Sequence, residues 1–225
     1  YTGYALFSNG GLELKDNTIT KGDIFSNGDM ELKEGAKVDG DLESNGTITA
    51  NSSYNGTVKY SPQKTLSDLD WNDMNSTADY HITGTKTFYG TESGIYFVDG
   101  NVNFVENAVF SQNATISIIA TGTIITNAGL DMQCVDGYPA LASMSDIEVN
   151  GGNSVTSTNI KGLIHARNKI EVKGESDINI FGSIVTNSTE DSALELKDDN
   201  GTLTVEYDDQ YLRNNKYHQD SWREL

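Results

Sequence analysis

The triplet Ser-Asn-Gly occurs three times at one spacing, starting at Ser8, Ser26 and Ser44, each copy 18 residues after the last. Its neighbours keep the period. Leu6, Ile24 and Leu42 stand two residues before the triplet, Leu12, Met30 and Ile48 two after it, and Leu14, Leu32 and Ala50 continue the series. Self-similarity at a fixed period of this size marks a solenoid. Between the triplets apolar and polar residues alternate, as in Leu12-Glu13-Leu14 and Met30-Glu31-Leu32. Period two means strands with one buried and one solvated face. Gly22-Asp23 and Gly40-Asp41 repeat as a second corner, where glycine tolerates positive φ. A leucine-rich repeat lacks its Leu-x-x-Leu-x-Leu pattern here, and no six-residue period is sustained.

From Ile95 to about Tyr207 the coils lengthen. Ala120, Ser143 and Ala166 are each 23 residues apart, and Gly162 and Gly182 are 20 apart. Small residues in register predict an internal ladder where the coil narrows. The strand Thr202–Tyr207 is expected to end the array. Residues 59–93 break the repeat and carry a helix expected over 67–80, with Ser67 or Asp68 as N-cap, before the chain returns near Gly94. The expected architecture is an all-β, right-handed parallel β-solenoid in one continuous domain. It divides into a first block at 1–58, a helical excursion at 59–93, a second block at 94–207 and a C-terminal cap at 208–225 with Trp222 buried.

Fifteen basic against 33 acidic residues leave a net charge of −18. Such a surface repels phosphate backbones, and the densest basic group, Arg167, Lys169 and Lys173, lies among acids, so nucleic acid is not an expected partner. Cys134 is the sole cysteine, which rules out an intrachain disulfide and fits a small buried apolar residue. No run approaches the ~18 apolar residues of a membrane span. The chain opens on Tyr1 rather than Met, so a processed or trimmed chain is expected, with any signal or membrane anchor outside these residues.

Right-handed β-helices that act on polysaccharides use paired carboxylates. Glu13, Glu31 and Glu43 sit at outward positions and form either an acidic strip or, with Lys15 and Lys33, an alternating charge ladder. Asp68, Asp70 and Asp73 are a weak candidate set for Ca²⁺, which wants 6–8 oxygens. Helix capping explains the same acids. In Asp198-Asp199-Asn200-Gly201 the Asn-Gly pair predicts a hairpin rather than a calcium loop. Around the excursion, Tyr60, Trp71, Tyr80, Phe88 and Tyr89 are the candidate ligand-contact surface. His81, His165 and His218 share no ligand spacing, and His165 is expected to point outward from a strand. Neither a nucleophile elbow nor a phosphate-binding glycine loop is present. No catalytic residue or cofactor is expected.

The segments SNGDMELKEGAKVDGDL, GIYFVDGNV, KGLIHARNKIEVKG and NIFGSIVTN, with the ending DSWREL, resemble the β-solenoid pilus-assembly proteins associated with type IV pili. Those minor-pilin-like proteins join an N-terminal hydrophobic helix to a solenoid domain, and the likeness covers nearly the whole chain. It departs at the start, where the prepilin peptide and membrane helix are absent from these residues. The resemblance implies an extracellular, surface-displayed module, at a pilus tip for example; the expected partners are pilin subunits, other copies of itself, a surface glycan, or a host or abiotic surface. It carries over no catalytic residue. A self-assembling surface filament and a polysaccharide-active β-helix enzyme stand as the alternatives.

Overall fold

A computed structural model describes residues 3–110, 115–127, 129–151 and 156–212. The chain is a right-handed parallel β-solenoid, the hand that parallel crossovers between twisted strands prefer. Its first block is β1 (Tyr4–Ser8), β2 (Leu12–Lys21), β3 (Asp23–Ser26), β4 (Met30–Leu32), β5 (Lys37–Asp39), β6 (Leu42–Ser44), β7 (Ile48–Ala50), β8 (Ser53–Asn55) and β9 (Val58–Tyr60). After α1 (Trp71–Thr77) come β10 (Tyr80–Thr83), β11 (Lys86–Phe88), β12 (Gly94–Asp99), β13 (Val102–Phe104), β14 (Ile116–Ala120), β15 (Ile124–Ile125) and β16 (Asp131–Gln133). The stack continues with β17 (Leu141–Ser143), β18 (Ile147–Asn150), β19 (Thr158–Ala166), β20 (Ile170–Gly174), β21 (Ile178–Thr186) and β22 (Leu194–Glu206).

All pairings are parallel, and they fall into three ladders. The first runs β10-β12-β14-β17-β19-β21-β1-β3-β6-β9. The second runs β11-β13-β15-β18-β20-β22-β2-β4-β7. The third runs β16-β19-β21-β22-β2-β5-β8. Inward side chains stack rung on rung. Leu42, Ile24, Leu6, Ile184, Ile164, Leu141 and Ile118 form one buried column, and Met30, Leu12, Leu194, Ile170, Ile147 and Ile124 another.

The order along the stack is not the order along the chain. β1 and β2 sit on β21 and β22, so the first block continues the stack beyond the end of the second. Thr202–Tyr207 therefore does not end the array, because three further coils and the strand β9 lie beyond it. The chain climbs from β1 to β9 at one extremity, then passes to the opposite extremity at β10 and climbs back to meet its own start. The connection is residues 61–79, shorter than the expected 59–93, because β10 and β11 already belong to the ladders.

Corners explain the glycines. Gly162 turns β19 from the third ladder into the first at φ +138, and a Cβ there would lie 2.8 Å from the Cβ of Cys134. The Ser-Asn-Gly glycines work differently. Gly28 is not in the left-handed region; a Cβ on it would sit 2.7 Å from the carbonyl carbon of Gly10. The triplet is a place where successive backbones nearly touch. Ser26 Oγ donates to Gly10 O at 2.6 Å, Ser44 Oγ to Gly28 O at 2.8 Å, and Asn27 Nδ2 to Asn9 Oδ1 at 2.7 Å. The small-residue ladder is present, Ala120, Ser143, Ala166, Thr186, Ser8, Ser26 and Ser44 being stacked and buried.

Two further expectations fail. Asp198–Gly201 is no hairpin: β22 runs parallel to β2 on both sides of it, with a register shift between Asp198 and Leu203, and Asp198 Oδ1 accepts from Gly201 N at 2.7 Å at a corner between ladders. The helix is also shorter, and Asp70, not Ser67 or Asp68, caps it by accepting from Asp73 N at 2.9 Å. Of the C-terminal cap, Asp209–Tyr211 forms a 3-10 turn and Leu212 is buried, while residues 213–225, Trp222 and His218 among them, lie outside the described residues.

Candidate functional site

A connection that spans the stack must lie against one of its outer faces, and the first ladder offers an apolar one. Its outward column reads Phe25, Phe7, Val185, His165, Ala142, Ile119, Phe97 and His81 in register. Residues 61–79 form a strap that covers it, burying Leu69, Trp71 and Met74 in a second apolar cluster with Phe7, Phe25, Phe97, Ile119, Leu163 and Val185. An outward strand position is thus buried without belonging to the core.

Polar ties hold the strap at three heights. Near the first-block end, Asn27 donates to Lys64 O at 2.6 Å and accepts from Lys64 N at 2.8 Å. There Lys64 Nζ reaches Glu43 at 2.8 Å and lies 4.5 Å from the Phe25 ring centroid. Tyr4 OH donates to Glu43 at 2.5 Å. Burial would raise the Glu43 carboxyl, but hydrogen bonds from Lys64, Ser61 and Tyr4 outweigh it and lower it. Burial, with Glu43 beside it, pushes the Tyr4 phenol far up.

At mid-height Asp68 meets a polar group on the stack. Arg167 Nε donates to Asp68 Oδ2 at 2.7 Å and Asn187 Nδ2 to Oδ1 at 3.2 Å, while His165 Nε2 lies 3.3 Å from Oδ1. The Arg167 guanidinium stands 4.9 Å over the Trp71 ring. His165 is fully buried, and desolvation lowers its pKa despite Asp68. Desolvation alone would raise Asp68, yet His165, Trp71 and Arg167 hold it well below the usual carboxylate range. A neutral imidazole oriented by a carboxylate resembles half of a triad, but the strap lies over it. It is a fastener. Near the second-block end His81 Nε2 bonds Asn75 O at 2.6 Å and Asp79 accepts from Ile95 N at 2.8 Å.

The three candidate aspartates do not converge. Asp68 is taken by the stack and Asp70 by the helix cap, and among the described residues no group of three or more His, Cys, Asp or Glu could hold a metal ion. The aromatic surface divides as well. Trp71 is a strap residue buried against the stack and Phe88 lies in the core, whereas Tyr60, Tyr80 and Tyr89 are 68%, 47% and 62% exposed. Tyr60 is at one extremity of the stack and Tyr80 and Tyr89 at the other, where Tyr80 stacks on Tyr96 at 4.5 Å.

Glu13 and Glu31 do form a row on the second ladder, Glu148-Glu171-Glu195-Glu13-Glu31, beside a lysine row Lys173-Lys197-Lys15-Lys33. Lys15 bridges Glu13 and Glu195 at 2.8 and 2.5 Å, Lys33 reaches Glu13 at 3.1 Å, and Lys169 reaches Glu195 at 3.1 Å. Burial opposes ionisation at Glu195, but Lys15 and Lys169 bring it down to about 2. Glu43 is on a different face. The face is a charge ladder, and its carboxylates are engaged by lysines.

The chain matches no known family model, curated protein or solved structure. Among the described residues no helix is long and apolar enough to cross a membrane. A groove of about 410 Å³ opens beside α1, lined by Asn72, Asn75, His81, Asp99, Thr121 and Met144. Its aromatic neighbours Trp71 and Phe97 are 6% and 7% exposed, so no ring is presented to a sugar face. Sequence reasoning missed the strap's fastener, although Asp68, Trp71, His165 and Arg167 were each visible; only the register of β19 under residue 68 joins them.

Proposed function

We propose that this chain is a non-catalytic, extracellular module of a type IV pilus-type assembly, in which a rigid solenoid spaces subunits or displays a contact surface. One observation carries the reading. Among the described residues the large apolar side chains left exposed are Tyr54, Val58, Tyr60, Tyr80, Tyr89 and Val109; the first five lie in the outermost coils at the two ends, and Val109 in the next coil inward. The groups that could do chemistry are covered or engaged: His165 under the strap, Asp68 of the strap on His165 and Arg167, the carboxylate row on its lysines. A protein whose sides are charged and whose ends are apolar is suited to axial contacts. Stacked coils leave little to order on binding, which favours a spacer. Resemblance to minor-pilin-like solenoids adds the compartment.

Immunogold labelling of intact cells producing the full-length protein tests this. Label on surface fibres or their tips is the expected result, and label confined to the cell interior contradicts it. Release of product from an acidic or neutral glycan, lost when one pair of carboxylates is replaced, would establish the enzyme instead.

A further inference from the structure

Among the described residues β7, β8 and β9 have ladder neighbours on one side only. Such edges are templates for another strand, and β8 and β9 are exposed throughout. β9 pairs with β6, so it lies one coil beyond β7 and β8. This end of the stack is therefore a step, one rung higher on the first ladder than on the other two.

We propose that a second copy of this chain, turned over by a two-fold axis, closes this end, with β9 of each copy seated on β7 of the other. This rests on the reading of the chain as an assembly module and names its partner. Turning a copy over reverses both the direction of its strands and the order of its faces. With third ladder over third, the first ladder of each copy meets the second of the other, antiparallel. The step is then complementary to itself, because each β9 supplies the rung that its partner's second ladder lacks. Corner lengths suit this axis. In the last coil β6, β7, β8 and β9 have three residues each; the corner between β6 and β7 is residues 45–47, and the other corners, 51–52 and 56–57, have two residues each. Exchanging the first face with the second lays every corner on one of equal length. A two-fold through either other face would lay the three-residue corner on a two-residue one.

Side chains agree with the pairing. Val58 and Tyr60 follow the buried Leu42 and Ser44, and Ile48 and Ala50 follow the buried Met30 and Leu32, so all four occupy inward positions. Centring Lys59 on Thr49 puts Val58 opposite Ala50 and Tyr60 opposite Ile48, apolar cross-strand pairs. Tyr54, over the buried Val38, lies on the axis. The third ladders stand two rungs apart, about 9–10 Å, and the two Tyr54 rings fill that gap. Charge favours a copy of this chain over a charged partner. The nine residues of β7, β8 and β9 carry one charge, Lys59, in a chain of net −18. The carboxylate row of the second ladder ends at Glu31, one rung below Thr49, and the second copy's Lys59 arrives two rungs beyond Glu31. Lys59 holds Asp41 in the single copy, and its stem lets it bridge both acids in the pair. Net charge opposes pairing at low salt, and screening relieves that repulsion. The interface is isologous and closed, so assembly stops at two. At the opposite extremity Lys86 takes an inward position of β11, in line with the buried Val102, and an inward charge blunts that edge.

The test uses the full chain carrying Thr49→Cys or Lys59→Cys, the outward positions that face each other in the pair. Cys134 is buried and its thiol is pushed up to about 11, so it stays out of exchange. Mild oxidation of a mixture is expected to give T49C–K59C dimers, because opposed antiparallel residues lie within the reach of a disulfide. The double variant is expected to give a dimer with two bridges and nothing larger. Monomers alone, or homodimers of one variant without mixed dimers, would overturn the proposal, as would a ladder of larger species from the double variant. Sedimentation of the unsubstituted chain is the second readout. Mass should rise to the dimer with concentration and salt and stop there. Val58→Lys should weaken pairing roughly tenfold or more, and Tyr89→Lys, at the other extremity, should leave it unchanged. A chain that stays monomeric, grows past the dimer, or pairs regardless of Val58→Lys overturns it. Surface immunogold with a strictly monomeric chain would defeat this proposal and leave the functional reading standing; a dimer found only in the cell interior would do the reverse.

Discussion

At the scale of single residues, stability rests on close approach and on the polar fastener. Gly28→Val should cost about 1–3 kcal/mol or more, the range for forcing atoms into packed space, because its Cβ would enter the backbone of Gly10. Urea unfolding checks this, and a midpoint equal to the parent's would contradict the close stacking. His165 gives a pH signature. Its folded pKa is depressed, so its contribution is complete above the ordinary histidine value of about 6.5 and declines as pH falls from there, since the unfolded chain takes the proton first. Asp68 and Glu195, both depressed, contribute above about 4 and lose that as pH falls towards their folded values. Melting temperature should therefore fall in two stages on acidification. His165→Gln should remove the first stage, the one that begins as pH falls below about 6.5, and leave the second.

At the scale of elements, the strap is what makes an outer sheet face into interior. Trp71→Ala should destabilise by about 3–5 kcal/mol if the site cannot collapse. It should also open residues 61–79 to protease and raise binding of a hydrophobic dye on the first ladder. Cleavage unchanged from the parent would mean the strap is not held by Trp71. Much of the element level was legible in the sequence. Leu12, Met30 and Ile48 announce their shared column through an 18-residue period, and the small residues at 120, 143 and 166 announce theirs. Asp198–Gly201 misleads because a corner between parallel ladders and a hairpin use the same local residues. Only the partner strand, β2, distinguishes them, and it lies at the other end of the chain. His165 misleads in the same way: alternation correctly puts it outward, but nothing local tells that residues from 61 onward return over it.

At the scale of the whole molecule, the period reveals coils but not their order. An isolated solenoid block exposes apolar coil ends, and seating β1 and β2 on β21 and β22 removes one pair of them while leaving the other pair exposed. The strap follows from that choice, since a chain ending its first block at Tyr60 must travel the length of the stack to begin the second at Tyr80. This permuted order is the central structural claim. It is most directly tested by the pair Lys21 and Glu206, rung neighbours joined at 2.8 Å across the seam. They form an exposed ion pair of little energetic weight. Lys21→Cys with Glu206→Cys should oxidise to an intramolecular disulfide in the dilute monomer, because rung neighbours fall within the Cα separation that such a bond spans. Two thiols that stay reduced, or link only between molecules, would contradict the permuted stack.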